Sequence, residues 1–200
     1  MKKILILFSH PKLEKSRVNL SLINHIKDKE NVTLHDLYDE YPDFHIDVPK
    51  EQKLLLQHDI IIWHHPFYWY SCPPLMKQWI DMVLEFNWAY GPEGKALQNK
   101  TCLNAITTGG SKEVYCSAGY NSFTVEQFLR PFEQTANLCG MTYLPPFAVM
   151  GTHNLSEEKL NDYKINYGKL IDLLQAELTI NDFEKISFIN DIPQLKAHNT

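Results

Sequence analysis

Residues Ile4-Leu5-Ile6-Leu7-Phe8 form an unbroken apolar run that stops at Ser9-His10-Pro11. A strand with one wet face alternates apolar and polar residues. A run that is apolar at every position needs cover on both faces, as in a parallel sheet sandwiched between helices. Asp59 to Trp63, with Ile60-Ile61-Ile62 at its centre, repeats the pattern, and Thr101 to Ile106 reads as a further strand. Helical spacing fills the gaps. Ser16 to Lys27 carries Val18, Leu20, Leu22, Ile23 and Ile26, Lys50 to Gln57 is a short helix, and Leu75 to Glu85 follows Pro73-Pro74. Val32 to Tyr38 is a second strand, and Tyr41 to Val48 is irregular. Val125 to Cys139 is helical with Gly140 as its cap. Met141 to Val149 is a fifth strand bent at Pro145-Pro146, and a last helix opens at Ser156 and runs towards Leu178. This alternation predicts an α/β fold with a five-stranded parallel sheet, which fits the order 2-1-3-4-5 as well as any other.

Such sheets bind ligands beyond the carboxyl ends of their strands, where the order reverses beside strand 1. Three loops therefore matter. The first, Ser9 to Asn19, lacks both the G-x-G-x-x-G and the G-x-x-x-x-G-K-[ST] patterns. It offers Ser16 and Asn19 at a helix start, where free N–H groups suit a phosphate. Plain N-capping by Ser16 explains the same residues. The second, His65 to Pro74, holds four consecutive aromatics, Phe67-Tyr68-Trp69-Tyr70. They suit a wall for a planar ring or, equally, an aromatic subunit interface. The third, Thr107-Thr108-Gly109-Gly110-Ser111, permits close backbone approach to a ligand or forms a simple turn. Together the loops describe a phosphate cradle, an aromatic wall and a close approach, the three requirements of a flavin mononucleotide.

Composition removes other classes. Charged residues make up 22% of 200 and the net charge is -5, with no long basic run, so no nucleic-acid footprint is present. Cys72, Cys102, Cys116 and Cys139 form no C-x-x-C pair, which suits a reducing compartment and no zinc ribbon. A metal-hydrolase reading built on His10, His64, His65 and His153 lacks ligand spacing, so no metal site is expected. The apolar run after Lys2-Lys3 is too short for a signal peptide, and no stretch reaches the length of a membrane span. The expectation is a soluble cytoplasmic protein.

The chain resembles the flavodoxin-2 group of NAD(P)H:quinone oxidoreductases, and within it the ancillary flavoproteins of bacterial glutathione-regulated potassium-efflux systems. The resemblance rests on Ser9-His10-Pro11, Tyr41-Pro42-Asp43-Phe44, His65-Pro66 through Trp69-Tyr70 to Pro73-Pro74-Leu75, Lys77-Gln78-Trp79-Ile80-Asp81, Trp88-Ala89-Tyr90-Gly91, Thr107-Thr108-Gly109-Gly110 and Leu144-Pro145-Pro146-Phe147. It implies a flavodoxin-like three-layer sandwich over residues 1–178, followed by a tail at 179–200. It further implies a homodimer with FMN, or alternatively FAD, at the subunit interface. Carried over by position, His10 and Ser16, Arg17, Val18 and Asn19 hold the phosphate and ribityl chain. Pro66, Phe67, Tyr68, Trp69 and Tyr70 line the ring, and Thr107, Thr108, Gly109 and Gly110 donate to its N1/O2 edge. Tyr115 stands beside the flavin, and Asn121 replaces a histidine found in the quinone reductases. Asparagine does not titrate near neutral pH, so a proton relay through that position is in doubt.

The chemistry so implied is ping-pong. NAD(P)H reduces the flavin and leaves, and a quinone takes its place. The alternative is a redox-sensing regulatory subunit of a potassium-efflux transporter, held peripherally at the inner face of the membrane by protein contacts. Phe183, Ile186, Phe188 and Ile189 in the tail are expected to pack on the body or on a partner, or to belong to a mobile terminus.

Overall fold

The computed structural model describes residues 1–176 and 186–196. Its sheet is parallel throughout. Strand β1 spans Ile4–Phe8, β2 Val32–Asp36, β3 Ile60–Pro66, β4 Thr101–Thr107, β5 Thr142–Tyr143 and β6 Phe147–Val149. The order is β2-β1-β3-β4-β5, with β6 also paired to β4. The expected order holds, with the fifth position divided in two. Pro145 and Pro146 lie between β5 and β6, and neither has an N–H for the ladder.

Side chains alternate across the sheet with period two, which sorts the core into two layers. Ile4, Ile6 and Phe8 of β1 face helices α1, Arg17–Ile26, and α7, Glu157–Gln175. Leu5 and Leu7 face the other way. That second layer contains α2 (Leu37–Glu40), α3 (Val48–Leu56), α4 (Pro74–Val83), α5 (Val125–Phe128) and α6 (Arg130–Leu138). Every residue of β1 is fully buried, as its unbroken apolar run requires.

The structure corrects several boundaries. Strand β3 continues through His64, His65 and Pro66, which the sequence placed in a loop, and all three are buried. The helix expected from Val125 to Cys139 is two helices, interrupted at Leu129. Pro131 at the start of α6 has no N–H to continue the ladder. Strand β2 stops at Asp36, whose side chain caps the one-turn α2. Helix α7, expected to run towards Leu178, ends at Gln175, and Leu178 lies outside the described residues. Gly140, at φ +71, follows α6 as a left-handed cap should.

Part of the tail packs on the body. Phe188, Ile189, Ile192 and Leu195, the last in the short α8 (Pro193–Lys196), are buried in the two core layers. Asn190 pairs with the backbone of Ala148 through Oδ1 (2.8 Å) and Nδ2 (3.1 Å), satisfying a stretch of β6 that has no neighbouring strand there. Ile186 is half-buried, and Phe183 lies outside the described residues.

Candidate flavin site

The carboxyl ends of β1, β3, β4 and β6 open onto a cleft of about 680 Å³. Ten expected residues line it: His10, Ser16, Arg17, Val18, Asn19, Pro66, Phe67, Tyr68, Thr107 and Gly109. Lys12, Lys15, Thr152 and His153 complete the lining. Trp69, Tyr70, Thr108, Gly110, Tyr115 and Asn121 stand outside it. A smaller cleft of about 270 Å³ beside Arg130 and Pro145 shares no residue with these loops.

The α1 end of the cleft gathers donors. Ser16 caps α1, its Oγ accepting from the Asn19 N–H at 3.4 Å and from Asn19 Nδ2 at 2.9 Å. The N–H groups of Arg17 and Val18 have no partner among the described residues, as the first turn of a helix dictates. Lys12 and Lys15 add exposed positive charge. Asn19 is almost fully buried and spends its side chain internally, on Ser16, on Thr107 Oγ1 at 3.0 Å and on His64 Nε2 at 3.1 Å. The Arg17 guanidinium is turned to Glu157 and to the Leu155 carbonyl at the start of α7. His10 accepts from the Lys12 N–H at 3.1 Å, and burial lowers its pKa, partly offset by Glu14.

The opposite side is built by β4 and β6. Thr108 N–H donates to Val149 and Thr152 N–H to Thr108, so Thr108 is committed to holding the two loops together. The N–H groups of Gly109 and Gly110 have no partner among the described residues. The absence of side chains here has a structural reason. A Cβ on Gly109 would stand 2.6 Å from His153 Nε2, and one on Gly110 would stand 2.8 Å from Val114 and 3.0 Å from the Tyr115 ring. His153 entered the sequence reading only as a metal ligand, and Thr152 not at all. The loop after the fifth strand position was not among those considered, although the rule about carboxyl ends covers it.

The aromatic segment divides. Phe67 is a core residue whose N–H is bonded to Thr107, while Tyr68, Trp69 and Tyr70 are exposed. Trp69 is 92% exposed, and both it and Tyr70 have positive φ, 49° and 63°. Non-glycine residues seldom occupy that region, and the strain concentrates at functional loops. Tyr70 stacks on Phe128 at 4.9 Å, and its hydroxyl donates to Asn121 Oδ1 at 3.2 Å. Tyr115 packs edge-on against Phe67 and Phe128, and burial raises its pKa. Tyr115 and Asn121 thus both contact one aromatic cluster beside the cleft.

Two histidines at the base of the site are fully buried in β3. Burial lowers His64 to about 3, helped by His65 and His10, and lowers His65 to about 4. Both are neutral near pH 7. His64 is bonded to Asn19 and Tyr167, and His65 to Asn104 and the Pro66 carbonyl. Among the described residues no group of three potential ligands is placed to hold a metal ion.

The geometry fits an FMN-sized ligand. The volume lies in the usual range for small-molecule sites. Donors and lysines suit a phosphate at one end, Phe67 and Tyr68 offer aromatic surface, and the paired glycines admit close approach at the other end.

The chain is similar to known proteins over most of its length. The uncharacterized NAD(P)H oxidoreductase YrkL of Bacillus subtilis (strain 168) is 46% identical over 88% of this chain and 99% of its own. The glutathione-regulated potassium-efflux system ancillary protein KefG of Serratia proteamaculans (strain 568) is 43% identical over 83% and 91%. Among solved structures, the general stress protein 14 of Treponema denticola in complex with FMN superposes with TM-score 0.79 at 37% identity, covering 87% of this chain and 98% of that one. An NADPH-quinone reductase from P. pentosaceus gives 0.77 at 34%, covering 84% and 96%. A chain described as a thermophilic tryptophan halogenase from Streptomycin violaceusniger gives 0.81 at 42%, covering 84% and 97%, so one architecture carries more than one activity name. The family model for flavodoxin-2, described as a flavodoxin-like fold, matches residues 2–171, and the chain belongs to that family.

Proposed function

We propose that this protein is an FMN-dependent NAD(P)H:quinone oxidoreductase. The observation that carries the reading is the pairing, across one cleft, of unpartnered N–H groups at Arg17 and Val18 with the one at Gly109, next to which Gly110 offers a second. The first pair suits a phosphate and the second an electron-rich ring edge. The FMN-bound relative and the reductase names at 34–46% identity support it.

Bound flavin supplies hydride acceptance and donation, which no side chain here can perform. The chain's residues bind and orient it. Ser16 with the α1 N-terminus would hold the phosphate, Phe67 and Tyr68 would bound the ring, and Gly109 and Gly110 would offer donors to its electron-rich edge. Tyr115 and Asn121 flank the acceptor position. Donor and acceptor use one face in turn, which is ping-pong kinetics. Two copies pair through the exposed aromatic segment around Trp69. Purified protein should be yellow, absorb near ~450 nm as flavins do, and release FMN on denaturation. A colourless protein that cannot be reconstituted with FMN or FAD overturns the proposal.

A second reading is favoured by the 43% identity to KefG: a flavin-binding regulatory subunit of a potassium-efflux system. No helix among the described residues is long and apolar enough to cross a membrane, so this reading attaches the protein through protein contacts. Phe188 is buried and does not offer that contact surface. Co-purification with efflux transporters of the source organism tests it. A protein that reduces quinones but never associates returns the first reading alone.

A further inference from the structure

A single line of hydrogen bonds runs from the core of α7 to the floor of the cleft. Tyr167 OH meets His64 Nδ1 at 3.1 Å, and His64 Nε2 meets Asn19 Oδ1 at 3.1 Å. Asn19 Nδ2 then reaches Ser16 Oγ at 2.9 Å and Thr107 Oγ1 at 3.0 Å. Asn19, His64, Thr107 and Tyr167 are all buried.

The chemistry of each member gives the line a direction. Tyr167 is enclosed by the Phe147 ring, the His64 ring and core residues of α1 and α7, and its hydroxyl proton has no acceptor among the described residues except His64. A buried donor left unmade costs more than a made bond returns, so Tyr167 donates. His64 is neutral, because burial holds its pKa at about 3. A neutral imidazole has one N–H, so accepting at Nδ1 leaves the proton on Nε2. That proton goes to Asn19 Oδ1, which turns Nδ2 and both its protons towards Ser16 and Thr107. Ser16 Oγ already accepts from the Asn19 backbone N–H and now accepts twice. The remaining proton of each hydroxyl has no acceptor among the described residues.

We propose that Tyr167, His64 and Asn19 are positioning residues that fix the hydroxyls of Ser16 and Thr107 as donors into the cleft, making its α1 end selective for an anionic oxygen, the phosphate of FMN. The inference rests on the flavin reading and deepens it. Run in reverse, the same line would present oxygen lone pairs to the phosphate and strand the Tyr167 proton in the core.

Two measurements test it. The first needs no ligand. Nitrogen NMR of the flavin-free protein should show His64 protonated on Nε2, and a proton on Nδ1 overturns the proposal. The second compares FMN with riboflavin, which lacks only the phosphate. Tyr167→Phe removes the distant donor without touching the cleft, and should lower the ratio of FMN to riboflavin affinity at least threefold. In a Ser16→Ala background the same change should lower the ratio by less, because one of the two hydroxyls through which Tyr167 acts is gone and only Thr107 remains. An unchanged ratio, or an equal effect with and without Ser16, sinks the inference while leaving FMN binding intact. A wild-type protein that binds neither flavin sinks the flavin reading and this inference with it.

Discussion

The indole Nε1–H of Trp79 donates to Glu51 Oε2 at 2.7 Å, joining α4 to α3. Oε1 of the same carboxylate accepts from Tyr41 OH at 2.6 Å and meets His35 Nε2 at 2.9 Å. Glu51 is fully buried. Burial pushes its pKa up, and the bonds from His35, Tyr41 and Trp79 outweigh burial, so the carboxyl titrates below its ordinary value. Glu51→Ala strands three donors and should cost about 3–5 kcal/mol in urea unfolding at pH 7. Glu51→Gln, which keeps one acceptor, should cost less, about 1–3 kcal/mol. The depressed pKa means that this stabilisation is present above the ordinary carboxylate pKa and is lost as pH falls through the folded value. The gap between wild type and Glu51→Gln should therefore narrow in acid.

The buried histidines predict acid sensitivity of a different kind. His64 and His65 are lowered to about 3 and about 4, against 6.5 unfolded. Below pH 6.5 the unfolded chain takes up protons that the native state refuses. Stability is then constant above that pH and falls as pH drops from 6.5 towards 4. Each group changes the folding constant roughly tenfold per pH unit in that window. Urea midpoints at pH 7.5, 6 and 5 measure the slope, and a flat profile would show that both rings gain protons without unfolding.

Gly110→Val should lower FMN affinity at least tenfold, about 1.4 kcal/mol, with the fold retained. The added carbons displace Tyr115 and Val114 as well as crowding the donor at Gly110. Titration with FMN followed by fluorescence checks it. Unchanged affinity in a folded variant would move the paired glycines out of the site.

Trp69→Ala removes a side chain that touches little of the rest of the chain. Thermal stability should change by no more than about 0.5 kcal/mol, while kcat/KM for quinones falls. Stability collapse with unchanged turnover per flavin would make Trp69 a packing residue.

The central strands were legible because burial on both faces leaves an apolar run, unbroken in β1 and in the first four residues of β3 and interrupted in β4 only by Asn104. The same rule failed at His64 and His65. It ends a strand where polar residues begin, yet these rings lie deep in the sheet. They are neutral there and are satisfied by Asn19, Tyr167 and Asn104. Those partners are distant in sequence, so no local pattern marks them. Ser16 and Gly109 were legible because backbone geometry at a helix start and a glycine turn is local, whereas Gly110 stands outside the cleft. The side chain of Arg17, turned to Glu157 rather than into the cleft, was not.

Strand β1 lies between β2 and β3, pairing Ile4 with Val32 on one side and with Ile60 on the other. Both partners come later in the chain and pair in parallel, so no hairpin can shelter β1 as it is made. At about 5–20 residues per second, the ribosome needs roughly 3–11 s between Ile4 and Ile60. Until β2 is made both edges of this five-residue apolar strand are open, and the edge that takes β3 stays open through the whole interval. The nascent chain is therefore most exposed to misassociation before β3 emerges. Chaperone demand should peak in that early window of synthesis, well before any residue of the fifth strand position exists.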